Sequence, residues 1–161
     1  MSAGQGSGVE RATFADTAFD VAADAFVAAR GNWAEAVHAT LTALFDFVAT
    51  SPGPARECEK ALQEGGAAAL DRRERTLDRF ARFLEPGYVE GSRHPAPVVA
   101  EAIVGGVYEL VLAYIREDRV AAMSEAVPVA TVIVLAPFVG DAEAERIAAR
   151  PISCTVAPDA R

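Results

Sequence analysis

The sequence predicts an all-α fold, a single bundle of six to seven helices. Apolar residues recur at helical spacing through most of the 161 residues, whereas no sustained alternation of apolar and polar residues indicates strands. Hydrophobic residues make up 52% of the chain and aromatic residues only 7%, and alanine dominates the apolar types. This balance is typical of helices that pack closely through small side chains. The length is enough for one compact domain with its own core.

The chain is predicted to form one helical domain between two flexible ends. Residues 1–12 are rich in Gly and Ser and are expected to be disordered, the helical domain spans residues 13–149, and residues 150–161 form a flexible tail. Apolar positions at helical spacing predict the first helix over residues 13–30. Asn32, with a glutamate three residues later, has the pattern of a capping box and predicts the start of the second helix.

Two further helices and a long loop are expected in the middle of the chain. Ser51 and Pro52 have the pattern of a helix cap and a first helical residue, and this third helix is expected to end at about Glu64, before two glycines. Residues 67–84 predict a fourth helix, and residues 85–97, dense in Pro and Gly, predict a long loop. The residues that the fourth helix is expected to bury are Leu70, Leu77, Phe80, Ala81 and Leu84.

The C-terminal third predicts two long helices and a short one. The fifth helix is expected from Pro97 to about Asp118 and the sixth from about Ser124 to Val139, and a short acidic helix follows. The sixth helix contains the segment "VATVIVLA", whose β-branched residues also suit a strand. Because a lone strand would have no partner in this chain, we predict a helix there.

Charge and cysteine content restrict the class of protein. A net charge of −8 argues against binding to nucleic-acid phosphates or to anionic membranes. Cys58 and Cys154 have neither metal nor disulfide spacing, and the first residues show no signal-peptide pattern, so we expect a reduced, cytoplasmic protein. The most apolar run, residues 127–139, has 13 residues, whereas a membrane-spanning helix needs about 20. We therefore expect this run to belong to the core and expect no membrane partner.

Gly105 and Gly106 lie in the middle of the fifth helix, within the segment "EAIVGGVYELVLAYI". At about 100° per residue, they fall opposite the broad apolar face, in a stripe of small residues that includes Ala102 and Ala113. Small side chains let a second helix approach closely, which offsets the low helix propensity of glycine. The alternative is that the stripe is exposed and mildly destabilised.

The sixth helix is apolar on every side, which predicts that it is covered on every side. A bundle of this size has difficulty covering two neighbouring helices by itself. We therefore predict a homodimer in which the fifth and sixth helices of two copies form a four-helix interface. The residues predicted to lie in this interface are Ala102, Gly105, Gly106, Glu109, Ala113, Thr131 and Leu135.

Three segments resemble one known family. "LDRRERTLDRFARFL", "AIVGGVYELV" and "VIVLAPFVG" follow each other in the order and spacing of the C-terminal domain of TetR-type transcriptional regulators, and the resemblance covers roughly residues 15–145. It implies an all-helical domain that binds a small, often apolar effector inside the bundle. It also implies homodimerisation through the last two major helices. In the family, effector binding shifts a pair of N-terminal DNA-reading heads.

The helix-turn-helix head of that family has no counterpart in this sequence, in which "GVERATF" alone is similar to the end of a recognition helix. We therefore expect direct DNA binding only if a longer form or a partner supplies a head. Two alternatives to an effector-binding regulator domain stay open. One is an interaction protein that forms a heterodimer with a full-length regulator and inactivates it, and the other is a small-molecule carrier.

A pocket in this bundle is expected between the second, third, fourth and fifth helices. Arg73 falls on the apolar side of the fourth helix, where it can meet an acidic group of a ligand or Glu109, or extend to the edge of that face. For every predicted lining residue, ordinary core packing is the alternative. The residues predicted to line the pocket are Phe45, Cys58, Arg73, Phe80 and Tyr108.

The remaining polar residues predict no catalytic chemistry. Acidic and basic residues are interleaved in "DRRERTLDR", which is typical of a solvated helix face with ion pairs three or four residues apart. His38 is expected in the core or at the surface rather than as a ligand, and His94 has no partner in the sequence. The sequence contains no metal-ligand spacing, nucleophile motif, phosphate loop or dinucleotide fingerprint. We therefore expect neither an enzyme nor a bound metal or cofactor.

Overall fold

The computed structural model describes residues 13–29 and 31–151. These residues form an all-α bundle, as predicted, and contain no strand. In chain order the helices are α1 (Phe14–Ala28), α2 (Trp33–Ala49), α3 (Pro52–Glu64), α4 (Gly66–Ala81), α5 (Gly87–Glu90), α6 (Pro97–Arg116), α7 (Val127–Val139) and α8 (Asp141–Ala148), with 3₁₀ segments at Arg82–Leu84 and Val120–Ala126. The predicted segment 1–12, Cys154 and the tail from residue 152 onward lie outside the described residues.

The first two helices begin at side-chain caps. The Thr13 hydroxyl accepts a hydrogen bond from the Asp16 backbone N–H, and the Asp16 carboxylate accepts one from the Thr13 backbone N–H, both at 3.2 Å. The Asn32 side-chain oxygen accepts a hydrogen bond from the Glu35 backbone N–H at 3.0 Å, so the predicted start of the second helix is confirmed. These caps satisfy N–H groups that the first turn of a helix leaves without a partner.

The third and fourth predicted helices correspond to α3 and α4. Pro52 is the first residue of α3, and Gly66, with a φ of 54°, begins α4. The prediction that Leu70 is buried is wrong, because its side chain is 62% exposed. The buried side of α4 contains Ala69. Leu70 is the next residue, and a turn of about 100° per residue around the helix axis points its side chain away from the core.

The predicted loop over residues 85–97 contains the short helix α5. Gly87 in α5 lies directly against the indole ring of Trp33, since a Cβ atom at Gly87 would be only 2.4 Å from the ring. The indole N–H of Trp33 donates to the Phe83 carbonyl at 2.6 Å, and the Arg93 backbone N–H donates to the Phe138 carbonyl at 2.8 Å. These contacts hold this segment and the preceding 3₁₀ segment to the start of α2 and the end of α7.

The segment "VATVIVLA" is helical, as predicted, and belongs to α7. A 3₁₀ segment joins the end of α6 to the start of α7, so the sixth predicted helix is regular α-helix only from Val127 onward. Gly140, with a φ of 88°, separates α7 from α8. This left-handed conformation is readily adopted only by glycine, which explains a sharp break between two consecutive helices.

One side of α2, here called the packed side, is covered by the 3₁₀ segment Val120–Ala126, α7 and α8. The side chains buried there without measurable exposure include Phe45, Met123, Leu135, Phe138 and Ile147. His38 belongs to the same side, with its Nδ1 atom 2.8 Å from the Thr131 hydroxyl and its Nε2 atom 3.3 Å from the Arg150 carbonyl. The packed side therefore has the close packing of an ordinary protein core.

The outward faces of α6 and α7 are not covered by the described residues. A Cβ atom added at Gly105 or Gly106 would meet nothing within 4 Å. Val129 and Ile133 on α7 are 53% and 49% exposed, so residues 13–29 and 31–151 of one copy do not cover α7 on every side. Ala102 and Glu109 are also exposed, and Ala113 is half-buried.

The predicted interface needs one correction. Thr131 and Leu135 have no exposed surface in a single copy of the chain, because both point into the core between α7 and α2. Along α7 the exposed residues are instead Pro128, Val129 and Ile133. Val129 and Ile133 are four residues apart and share one helix face.

Candidate ligand-binding site

A cavity of about 1070 Å³ lies on the other side of α2, here called the cavity side. Its lining comes mainly from α1, α2, α3, α4 and α6, with Phe83 and Leu84 from the 3₁₀ segment and Val134 from α7. Four of these helices are the second to fifth predicted helices, between which the sequence places a pocket. The contribution of α1 has no counterpart in that prediction.

Helical spacing on α2 and α6 builds two apolar walls. Along α2, the lining residues Val37, Leu41, Leu44 and Val48 are separated by three or four positions and therefore share one face. The corresponding lining residues of α6 are Val104, Val107, Tyr108 and Val111. The Phe47 ring stacks on the Phe14 ring of α1 with centroids 5.2 Å apart, which closes the wall between α1 and α2.

Four of the five predicted pocket residues line this cavity, namely Cys58, Arg73, Phe80 and Tyr108. Phe45 does not line it, which corrects the prediction. Phe45 follows Leu44 on α2, and the turn of about 100° points it to the packed side, seven residues after His38 on the same face. Sequence reasoning missed the aromatic lining residues Phe14, Phe47 and Phe83, and the Phe83 ring lies 5.9 Å from that of Phe80.

A network of alternating charges joins α3, α4 and α6 at one end of the cavity. The Arg73 guanidinium donates to the Glu109 carboxylate at 3.1 Å, which is one of the contacts expected for it, and lies 5.0 Å from the centre of the Tyr108 ring. Arg116 donates to Glu59 at 2.9 Å and lies 3.7 Å from the Glu109 carboxylate. Each charge of this network is therefore matched by at least one opposite charge.

Two weakly acidic groups face this end of the cavity. Burial raises the pKa of the Cys58 thiol, against a smaller opposite effect of the Arg72 charge. Burial also raises the pKa of the Tyr108 hydroxyl. Both groups are therefore protonated at neutral pH and can donate a hydrogen bond, and the thiol lacks the thiolate character of a reactive cysteine.

The cavity opens between the start of α1, α3 and α4. Its exposed lining residues come from these three elements and include Thr17 of α1, Glu57 of α3, and Arg72 and Arg75 of α4. Arg79, also on α4, donates to the Asp16 carboxylate at 2.8 Å, and its guanidinium lies 3.8 Å from the centre of the Phe19 ring.

The ion pairs predicted within "DRRERTLDR" are not formed between the described residues of this segment. Arg73 and Arg79 instead reach acidic residues on α6 and α1, respectively. Both arginines lie on the side of α4 that faces the other helices. There, a carboxylate of a neighbouring helix is closer to the guanidinium than any carboxylate of α4. The segment thus helps to join three helices rather than forming only a solvated face.

The two histidines do not form part of this site. His38 is buried in the core and hydrogen-bonded on the packed side, and the exposed His94 has its Nδ1 atom 3.1 Å from the Tyr88 carbonyl. Within residues 13–29 and 31–151, no group of three or more His, Cys, Asp or Glu side chains is arranged to hold a metal ion.

Two helical stretches, Pro97–Arg116 and Val120–Val139, are long and apolar enough to cross a membrane by length and composition alone. The second stretch consists of the 13-residue apolar run that was predicted to belong to the core, together with the 3₁₀ segment that precedes it. Both stretches contribute buried residues to the bundle, and core helices of water-soluble proteins have the same length and composition. The two stretches are weak evidence for a membrane protein, and the cytoplasmic location stays a prediction.

Comparison of the chain with protein-family models, curated proteins and solved structures finds no match. The resemblance to TetR-type regulators therefore rests on the three sequence segments alone and stays a prediction.

Proposed function

We propose that this chain is the effector-binding and dimerisation domain of a TetR-type transcriptional regulator, in which a small and largely apolar molecule binds on the cavity side of α2. The observation that carries the proposal is the cavity of about 1070 Å³, which slightly exceeds the range of about 300–1,000 Å³ for small-molecule sites. Protein interiors are otherwise close-packed, and unfilled apolar space lowers the free energy of unfolding. A cavity of this size is therefore best explained by a ligand that fills it.

The uncovered faces of α6 and α7 support the second part of the proposal, a homodimer. Glycine at positions 105 and 106 weakens α6, and no group in the described part of the same copy requires the absence of a side chain there. Close approach of a helix from a second copy would explain why these two positions have no side chain. The exposed Val129 and Ile133 on α7 add apolar surface that a partner would remove from water.

Helix α6 offers a direct connection between ligand and partner. One side of α6 lines the cavity through Val107 and Tyr108, and the opposite side carries Gly106. Glu109 is exposed beside the glycines and bonded to Arg73 of α4. A ligand that moves α4 or α6 would thus change the proposed interface, and DNA-reading heads supplied by a longer form or a partner would respond.

Ligand binding can be tested with the neutral apolar dye N-phenyl-1-naphthylamine, whose fluorescence rises in apolar sites. We expect saturable binding by the wild-type protein and at least a tenfold weaker affinity for Val107→Phe, which fills the cavity. Val89→Phe is the matched control, because Val89 is 85% exposed and does not line the cavity. Equal binding by the wild type and Val107→Phe would contradict the proposed site.

The homodimer can be tested by light scattering on the Gly106→Leu variant. We expect the wild type to be a dimer and Gly106→Leu to be a monomer, because a leucine would prevent the close approach of the partner helix. Gly53→Leu is the control, since a Cβ atom at this exposed helical glycine also meets nothing within 4 Å. A dimer that survives Gly106→Leu would show that the stripe is not in the interface.

The same uncovered faces favour one second candidate, a heterodimer with a full-length regulator of the same type. In that case the chain, added in excess to an intact regulator, should release the regulator from its operator in a gel-shift assay. An unchanged shift would remove this candidate. A chain that binds the dye but stays monomeric would instead point to a small-molecule carrier.

A further inference from the structure

We infer that the ligand is an amphipathic monoanion, an apolar body that carries a single terminal carboxylate, with this carboxylate held at the mouth of the cavity by Arg72 and Arg75. The inference rests on the proposed function, because it names the class of ligand that the same cavity would take. It assigns the ligand contact to two arginines other than Arg73, whose charge Glu109 already matches.

Four arginines of α4 line the cavity, and they fall into two pairs. Arg73 and Arg79 are bonded to carboxylates of other helices, at 3.1 Å and 2.8 Å. Arg72 and Arg75 have no carboxylate within ion-pair distance among the described residues, and both are exposed where the cavity opens. They are three positions apart on α4, so their side chains share one side of the helix.

The charge of the cavity lining is opposite to that of the chain. Among the described residues, the lining contains four arginines and three acidic residues, whereas the whole chain has 15 Lys and Arg against 23 Asp and Glu. Two of the three acids, Asp16 and Glu59, are already bonded to arginines, which leaves Glu57. The mouth therefore offers two available positive charges and one available negative charge, which favours an anionic ligand group over a cationic one.

The interior of the cavity favours an apolar body for the rest of the ligand. Thr40 and Thr76 line the cavity, but their hydroxyls donate to the backbone carbonyls of their own helices at 2.8 Å and 2.9 Å. The walls of α2 and α6 are formed mainly by valine and leucine. Besides the Tyr108 hydroxyl and the Cys58 thiol, the interior offers few partners for polar groups. A ligand with several polar groups would therefore lose more hydration than it regains in hydrogen bonds, whereas a single charged end can stay at the mouth.

Guanidinium groups suit a carboxylate because they donate charge-assisted hydrogen bonds in a planar, forked arrangement. Two guanidinium groups at a partly exposed mouth are expected to strengthen binding of a carboxylate by about tenfold over its neutral ester. Because both groups are exposed, this preference should fall as the salt concentration rises.

The experiment compares cis-parinaric acid with its methyl ester, two fluorescent probes that share one hydrocarbon chain and differ in charge. Titrations at low micromolar probe, below micelle formation, should give about tenfold tighter binding of the acid by the wild type. In Arg72→Gln/Arg75→Gln the acid should bind about as weakly as the ester, whose affinity should not change. Arg82→Gln is the matched control, because Arg82 is exposed and does not line the cavity, and it should behave as the wild type.

The outcomes separate this inference from the proposed function. Equal affinity for acid and ester, or a preference that survives loss of both arginines, would overturn the inference. Binding of N-phenyl-1-naphthylamine without binding of either parinaric probe would also overturn it while leaving the proposed function standing. Absence of binding by all three probes would overturn both. Circular-dichroism melting of each variant checks that folding is unchanged.

Discussion

The two sides of α2 are covered to different degrees, although one continuous helix supplies both. On the packed side, Phe45 and Phe138 are fully buried, and the His38 ring is hydrogen-bonded at both nitrogens. On the cavity side, Leu41 and Leu44 face a space of about 1070 Å³. The difference indicates a division of roles, in which the packed side stabilises the domain and the cavity side is left unfilled for a ligand. Substitutions on the two sides should therefore have different effects.

The largest expected difference is between two phenylalanines. Phe138→Ala should lower the free energy of unfolding by about 3–5 kcal/mol, since Phe138 is fully buried and its ring packs edge-on against Trp33 and Tyr88 with centroids 5.2 Å away. Phe80→Ala on the cavity side should cost less than half as much, because the half-buried Phe80 already borders unfilled space. Urea unfolding measures both, and equal losses would contradict the division of roles.

Overpacking should give the next largest difference. Val120→Phe adds a ring on the packed side, where Val120 is 1% exposed, and should cost about 1–3 kcal/mol. Val107→Phe adds the same ring next to the cavity and should leave the melting temperature nearly unchanged or raise it. Thermal melts of the two variants give the comparison, and a strongly destabilised Val107→Phe would contradict unfilled space beside Val107.

Buried hydrogen bonding should distinguish two threonines. Thr131→Val keeps the shape of the side chain but leaves the buried Nδ1 atom of His38 without its partner, at an expected cost of about 1–3 kcal/mol. Thr40→Val on the cavity side removes only a hydrogen bond from the hydroxyl to the Ala36 carbonyl, which already accepts within the helix. Its cost should be below about 1 kcal/mol. A smaller loss for Thr131→Val than for Thr40→Val in urea unfolding would contradict this role of His38.

The smallest expected effect lies at the rim of the cavity and depends on pH. Hydrogen bonds from the Thr13 hydroxyl and backbone, together with the Arg79 guanidinium, lower the pKa of Asp16 below its ordinary value of 3.8. The folded state therefore favours the carboxylate, and this stabilisation is present above the ordinary pKa and is lost as the pH falls through the lower folded-state value.

Asp16→Asn should consequently reduce stability at neutral pH by less than about 1 kcal/mol, since the Asp16 side chain is 45% exposed and solvent screens its ion pair. The difference from the wild type in urea unfolding should shrink as the pH is lowered from about 6 to about 3. Asp20→Asn is the control, because Asp20 is an exposed residue of the same helix with no ion pair among the described residues. A difference that grows toward low pH would contradict the lowered pKa of Asp16.

The position of the candidate site was partly predictable from the helix faces. Arg73, Phe80 and Tyr108 line the cavity as predicted, because their angular positions on α4 and α6 follow from spacing alone. Phe45 and Leu70 were assigned to the wrong side of their helices. Each directly follows a residue that does face the predicted side, and one residue along a helix is a turn of about 100° around its axis. Spacing gives angles around each helix axis, but the directions of contact depend on how the helices pack.

The sequence by itself determined the all-α class, the start of α2 at Asn32, and the separation of Gly105 and Gly106 from the apolar side of α6. These properties depend on side chains and backbone groups within a few positions along the chain. Only the tertiary structure decided that α2 has one packed and one open side, and that Arg72 and Arg75 differ from Arg73 and Arg79 in having no acidic partner among the described residues. A cavity and an ion pair both depend on distances between helices that lie far apart in the sequence.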